Sequence, residues 1–140
     1  YETLGGGQTA SKASDGPSAV HVAMSNTLNT PIEAMETEFP LRAGEYSVRR
    51  GSGGDGAHKG GNGLVREIIA TEAMSFALLT ERRRHAPAGA EGGQPGEKGL
   101  NQLIRKSGET EQLEPKTAGD LEPGDRLRIE TPGGGGHGRP

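Results

Sequence analysis

The sequence predicts a mainly β chain with a minor helical part. Antiparallel strands and hairpins are joined by glycine-rich loops, and one short helix lies near residues 31–38. Three observations carry that reading. Short runs with strand-type alternation are bounded by glycine or proline. Glycine supplies 25 of the 140 residues, against a usual share of about 7%. Only one segment has a helix start signal.

Taken in order, residues 1–19 are polar and rich in Gly, Ser and Ala, which reads as loop. "VHVAMSNTLNT" (20–30) mixes apolar and polar residues without a clear period. "TPIEAMETE" then starts the helix, with Thr30 as N-cap, Pro31 at the first helical position and Glu33 at the capping-box position. Pro40 keeps it short. "EYSVRR" (45–50) alternates and ends at "GSGGDG". "GLVREIIA" (63–70) and "MSFALLTERR" (74–83) flank a short polar link and read as a hairpin. "GLNQLIRK" (99–106) and "TEQLEPK" (110–116) form a second hairpin about Ser107 and Gly108. "LEPGDRLRIET" (121–131) reads as a turn followed by a strand, and "PGGGG" follows it. No fixed-period repeat is visible. Residues 1–140 are expected to be a single segment, with loop and short helix over 1–44 and a β-rich part over 45–140.

Composition sets bounds on function. The 11 Leu, 5 Ile, 4 Val and 2 Phe fall below the roughly one-fifth usual for a foldable domain. The net charge of −3 is too small for the usual disordered chain. A folded piece with a thin core follows, one that leans on the rest of a longer chain or on a partner. The start at Tyr1 rather than Met fits that expectation. With no cysteine there is no disulfide framework and no thiolate metal site. No apolar run approaches the roughly 20 residues of a membrane span. Near-balanced charge and only 2 Tyr and 2 Phe argue against nucleic-acid binding.

Four groups could carry chemistry. The glycines of "GSGGDG" (Ser52, Gly53, Gly54) let backbone N–H groups approach an anion, and they serve equally as tight turns. No phosphate-loop signature surrounds them, because Lys59 is followed by Gly60 and strands lie on both sides. Arg49 and Arg50 precede this loop and would suit an anion. His21 could take a metal or an acid/base role if Asp15, Glu33 or Glu36 folded near it, and Asn26 and Thr27 in "SNTLNT" could orient a polar substrate, though such residues also build turns and caps. In "ERRRH" (81–85), Arg82 and Arg83 point to opposite faces if the strand continues, so that one of them, or Glu81, can face inward and pair. None of His21, His58, His85 and His137 pairs at metal-ligand spacing, and no metal ligand is assigned.

The ordered series "YETLGGG", "DGPSAVHVAMSNTLNTPIEAMETEFPL", "RRGSGGDGAHKGGNGLVREI", "LLTERRRHAPAGAEGGQPG" and "GDRLRIETPGGGGHG" resembles the C-terminal part of the hydantoinase B / 5-oxoprolinase family over essentially the whole chain. The resemblance implies the B component of an ATP-dependent cyclic amide hydrolase, opening a hydantoin, N-methylhydantoin or 5-oxoproline through a phosphorylated intermediate. Related members are components of ATP-dependent ketone carboxylases of the acetone and acetophenone type. A third implied role is an assembly domain that docks the partner. ATP and Mg²⁺ would be bound by a hydantoinase A-type subunit, with no cofactor in this segment. The implied partners are that subunit, the remainder of the chain and a small cyclic amide, in a cytoplasmic hetero-oligomer. The resemblance makes Arg49, Arg50, the "GSGG" loop and residues 21–27 site-adjacent. "QTASKASDG" (8–16) departs from it, being poorer in glycine than the family pattern. It also turns "TPGGGG" from a flexible tail into a packed terminus, where bare backbone lets another backbone come close.

Overall fold

β2, Gly63–Ala70, coincides with its sequence expectation and organises the fold. It is largely buried on both faces. The computed structural model describes residues 1–140. β1 (Leu41–Arg49) and β7 (Arg126–Glu130) flank β2, and β4 (Leu100–Ile104) and β5 (Thr110–Gln112) continue the sheet beyond β7. All neighbours are antiparallel. β3 (Met74–Leu79) and β6 (Lys116–Leu121) pair in a separate two-stranded ribbon. The chain is therefore mainly β with a minor helical part, as expected.

Four details differ from the sequence reading. The hairpin of 63–70 with 74–83 does not form, because both edges of β2 are already taken by β1 and β7. β3 instead finds β6, which alternation did not mark: "KTAGDL" has few apolar residues to show a period. β1 begins at Leu41, so the expected boundary at 44/45 falls inside a strand. The helix, α1 (Ile32–Glu38), has Pro31 rather than Thr30 at its N-cap and no side-chain cap. The capping box therefore does not form, although Glu33 lies in the first turn as expected. The expected stop before Pro40 holds, and Glu36 accepts a bond from the Ala43 N–H (2.9 Å) that ties helix to sheet.

The two faces of the sheet have opposite chemistry. On one, Leu103, Leu127 and Ile129 pack with Ala70 and with Leu78 and Leu121 of the ribbon. On the other, alternate residues carry charge. Arg128 joins Glu45 (2.7 Å), Glu130 (3.1 Å) and Glu67 (3.3 Å), and Arg126 joins Glu67 (3.1 Å). Burial alone would lower the Arg128 pKa, but the bonds from Glu45, Glu130 and Glu67 outweigh it and raise it. Asp125 closes the turn before β7, accepting from the backbone N–H groups of Glu122 and Lys106 (both 2.9 Å) and from Arg105 (2.7 Å). Led by the Glu122 bond, these hold its carboxyl below the usual carboxylate range despite burial.

The glycine clusters form a second core. Residues 133–138 run through its centre and bond to neighbours on several sides. The N–H groups of Gly134 and His137 donate to Gly61 and His58, while those of Gly133 and Gly136 donate to Glu97 and Gln94. Both series advance by three residues. β-Carbons added at Gly133 and Gly136 would strike Ser52 and Asp55, one at Gly134 would strike Gln8, and one at Gly135 would strike Ala88. Three residues per turn without internal hydrogen bonds is the geometry of an extended polyproline-type helix. Every backbone group must then find a partner on another segment. Gly7, Gly53, Gly60, Gly61, Gly93 and Gly96 repeat the pattern, each facing neighbouring backbone well under 3.0 Å from where a β-carbon would lie. The glycine-poor stretch 8–16 enters this lattice through backbone bonds at Gln8, Ala10 and Gly16 and through the Asp15 carboxylate, which accepts from the Lys59 N–H; residues 11–14 loop out to solvent. No helix is long and apolar enough to cross a membrane.

Candidate functional site

The first candidate group lies on irregular backbone between the lattice and α1. Val20 is anchored by its N–H to the Gly6 carbonyl, and a single 3-10 turn follows at Ala23–Ser25. His21 is half-buried, with Nδ1 3.3 Å from Ser25 Oγ. The Ser25 hydroxyl also accepts from the Val22 N–H at 3.2 Å. Asn26 and Thr27 are exposed. The three carboxylates considered as partners for His21 are engaged or placed elsewhere. Asp15 accepts from the Lys59 N–H (2.8 Å) and lies 3.5 Å from His58, Glu36 holds Ala43, and Glu33 stays in the first turn of α1. His21 is thus a polar group oriented by a serine, without a carboxylate behind it.

The second group closes β1. Arg49 pairs with Glu130 (3.0 Å) and donates to the carbonyls of Lys98 (2.7 Å) and Thr131 (3.2 Å). Its guanidinium joins three segments. Arg50 is exposed, outside these ion pairs. Ser52 is buried, donating to the Arg49 carbonyl (2.7 Å) and accepting from the Gly63 N–H (2.9 Å). The Gly53 N–H donates to Asn62 Oδ1 (3.1 Å) and the Gly54 N–H to the Gly134 carbonyl (2.8 Å). The loop that resembled an anion cradle thus directs these N–H groups at protein oxygens.

Asn62 joins the two groups, and sequence reasoning passed over it. Its backbone N–H donates to Ser18 Oγ (2.8 Å), its carbonyl accepts from the Ala19 N–H, and its side-chain oxygen accepts from the Gly53 N–H. Residues 18–21 and 49–54 are therefore fixed relative to each other through one side chain and its backbone. The available signal was a single side chain amid glycines in "KGGNG", where a hydrogen-bonding residue has work that glycine cannot do. No three His, Asp or Glu side chains come together as a metal site would require.

The comparisons with known proteins follow the same architecture. The family model described as Hydantoinase B/oxoprolinase matches residues 1–140. 5-Oxoprolinase 1 of Arabidopsis thaliana is 44% identical over 138 residues, covering 99% of this chain and 11% of that protein. The 5-oxoprolinase of Dictyostelium discoideum is 42% identical over 139 residues, again covering 99% and 11%. The chain thus spans about one-ninth of the length of these relatives. Among solved structures, the ATP-dependent caprolactamase from Pseudomonas jessenii superposes with a TM-score of 0.83 at 29% identity, covering 99% of this chain and 26% of that one. A nucleotide-free acetone carboxylase shares the fold, with a TM-score of 0.74 at 17% identity over 95% of this chain and 22% of that one. With a family match that takes in the lattice, the sheet and both candidate groups, this chain belongs to the hydantoinase B/oxoprolinase family.

Proposed function

We propose that this chain is part of the B component of an ATP-dependent hydrolase that opens a cyclic amide. The supporting observation is end-to-end similarity to 5-oxoprolinases, joined to the fold shared with a caprolactamase. Hydantoin, N-methylhydantoin, 5-oxoproline and larger lactams are the substrate class. An unstrained lactam is a poor electrophile, so a site for this reaction must hold the substrate in place and keep out bulk water. The chain's contribution is a rigid support. The glycine lattice and Arg49 fix residues 18–21 and the end of β1, and from that support His21, Asn26, Thr27 and Arg50 contact or border the substrate-bearing region. Ser52, Gly53 and Gly54 act beneath it as positioning residues.

ATP and Mg²⁺ belong, on this reading, to a hydantoinase A-type partner. The residues here do not fit a nucleotide cradle, because the Gly53 and Gly54 N–H groups are occupied by Asn62 and Gly134 and no carboxylate cluster is present. The reading requires a compartment supplied with ATP, for which the cytoplasm is the simplest choice.

The test uses the full-length protein with its A-type partner and 5-oxoproline, hydantoin and caprolactam. Ring opening that depends on ATP and Mg²⁺ is the expected result. Ring opening without ATP sinks the proposal, and bicarbonate-dependent consumption of a ketone with no amide cleavage replaces it with the carboxylase reading. An assembly role is favoured by one further observation. Val22, Met24 and Leu28 are exposed beside the first candidate group, Met24 at 96% and Leu28 at 102%. If Leu28→Asp separates the subunits while the remaining assembled enzyme turns over normally, this stretch serves docking.

A further inference from the structure

The "ERRRH" run lies outside the site described above, and its arginines take very different positions. Arg84 forms an exposed pair with Glu114 (3.3 Å), while Lys116 pairs with Glu81 (3.3 Å). Neither Arg82 nor Arg83 has a carboxylate partner. Arg83 nevertheless turns inward. Its Nε and Nη2 donate to Asn101 Oδ1 (3.1 and 2.9 Å), and its Nη1 donates to the Glu81 carbonyl (2.8 Å). Asn101 is wholly buried and is itself fixed, its Nδ2 donating to Thr80 Oγ1 (2.8 Å), which donates to the Pro115 carbonyl (2.6 Å). The guanidinium is therefore held in one orientation by a relay of neutral groups.

Its surroundings are shaped to admit it. A β-carbon at Gly99 would meet the Arg83 guanidinium at 2.7 Å, so glycine clears the space. The same Gly99 donates its N–H to the Arg82 carbonyl (3.0 Å) and secures Arg82 at φ 60°, the left-handed region that side chains other than glycine seldom adopt. Strained backbone of this kind clusters at functional sites. Burial, with the nearby charge of Arg49, lowers the Arg83 pKa to about 10, the mark of a cation short of a counter-charge.

Residues 80–85 and 114–116 enclose an open cleft of about 820 Å³, lined by charged and polar residues together with Pro115. That volume lies within the usual range of about 300–1,000 Å³ for small-molecule sites. Four cations, Arg82, Arg83, Arg84 and Lys116, face two carboxylates there, and both carboxylates are already paired. A guanidinium has five N–H donors, so Arg83 keeps one on Nη1 and one on Nη2 after its three protein bonds. Free guanidinium N–H donors suit the oxygens of a carboxylate or phosphate group.

We propose that this cleft binds a small oxyanion, a phosphate or carboxylate group, with Arg83 as the half-buried anchor and Arg82 as the exposed second cation. The site stands apart from the ring-opening reading, since it is defined by binding and not by turnover.

The experiment titrates the full-length protein with inorganic phosphate and, separately, with succinate, by calorimetry at low ionic strength. Saturable binding of either anion is expected. Arg82→Gln, an exposed change that spares the fold, should weaken it by about tenfold, the usual scale for losing one charge-assisted contact. Arg83→Lys keeps the charge but loses the fork, and should weaken it at least as much. Tighter binding of phosphate identifies a phosphoryl ligand, and tighter binding of succinate a carboxylate ligand. If neither anion binds the folded full-length protein, or if Arg82→Gln binds as the wild type does, the proposal is overturned. If neither anion binds and Arg82→Gln loosens the subunit assembly, the cleft is a docking surface for an acidic protein segment.

Discussion

Leu103 and Gly134 are both buried at the centre of their layers, for opposite reasons. Leu103 lies inside because its side chain packs against Ala70, Leu78, Leu121 and Leu127. Gly134 lies inside because it has no side chain, so that its neighbours' backbones can close on it. The sheet stabilises by removing apolar area from water. The lattice stabilises by pairing backbone groups that would otherwise be orphaned. A scale that counts apolar residues sees only the first of these, which is why the composition reads as a thin core while the chain has two.

The sharpest way to break the comparison is a single methyl group. Gly134→Ala places a β-carbon against the Gln8 carbonyl, and neither backbone can give way without disturbing further segments. A loss of more than about 4 kcal/mol, or failure to fold, is expected in urea unfolding. Leu103→Ala leaves a cavity in the sheet core and should cost about 2–4 kcal/mol. If the two changes cost the same, the lattice is no more demanding than an ordinary core.

Asp125 tests the polar side of the sheet. Its folded pKa is lowered, so its contribution is present above the ordinary carboxylate value and is lost as pH falls through the folded value. Unfolding midpoints at about pH 7 and about pH 3 should therefore differ more for the wild type than for Asp125→Asn, which should cost about 2 kcal/mol at the higher pH. Equal pH dependence in both proteins would remove the carboxylate from the account.

The smallest effect separates two kinds of glycine. Gly108 has φ 93° and no atom near its missing β-carbon. Gly108→Ala should cost only about 1 kcal/mol of left-handed strain, while the lattice glycines fail by collision. A comparable loss at Gly108 and Gly134 would mean that backbone conformation, and not close approach, explains both.

Much of the sheet was legible in the sequence. β2 and the hairpin about Ser107 and Gly108 follow from alternation and turn chemistry, and the helix follows from Pro31 and Pro40. Pairing was less legible, because the link at 71–73 looks like a hairpin turn when only the local sequence is considered. What prevents that hairpin is the occupation of both β2 edges by strands far away in the chain. The lattice was legible as composition but not as architecture, since a residue without a side chain carries no periodic pattern. At the candidate site, Arg49 and Ser52 stand out in the sequence as residue types, but their partners, Glu130, Thr131 and Gly63, lie too far along the chain for spacing to reveal. Arg83 turned inward as alternation allowed, on a neutral relay through Asn101 that no local motif announces.

Amide hydrogen exchange across residues 133–138 of the full-length protein tests the central claim most directly. The account expects the N–H groups of Gly134, Gly136 and His137 to exchange as slowly as the paired residues of β2 and β7, because each is bonded inside the lattice. Exchange as fast as that of the exposed loop at 11–14 would show that the glycines form a loose tail and that the second core does not exist.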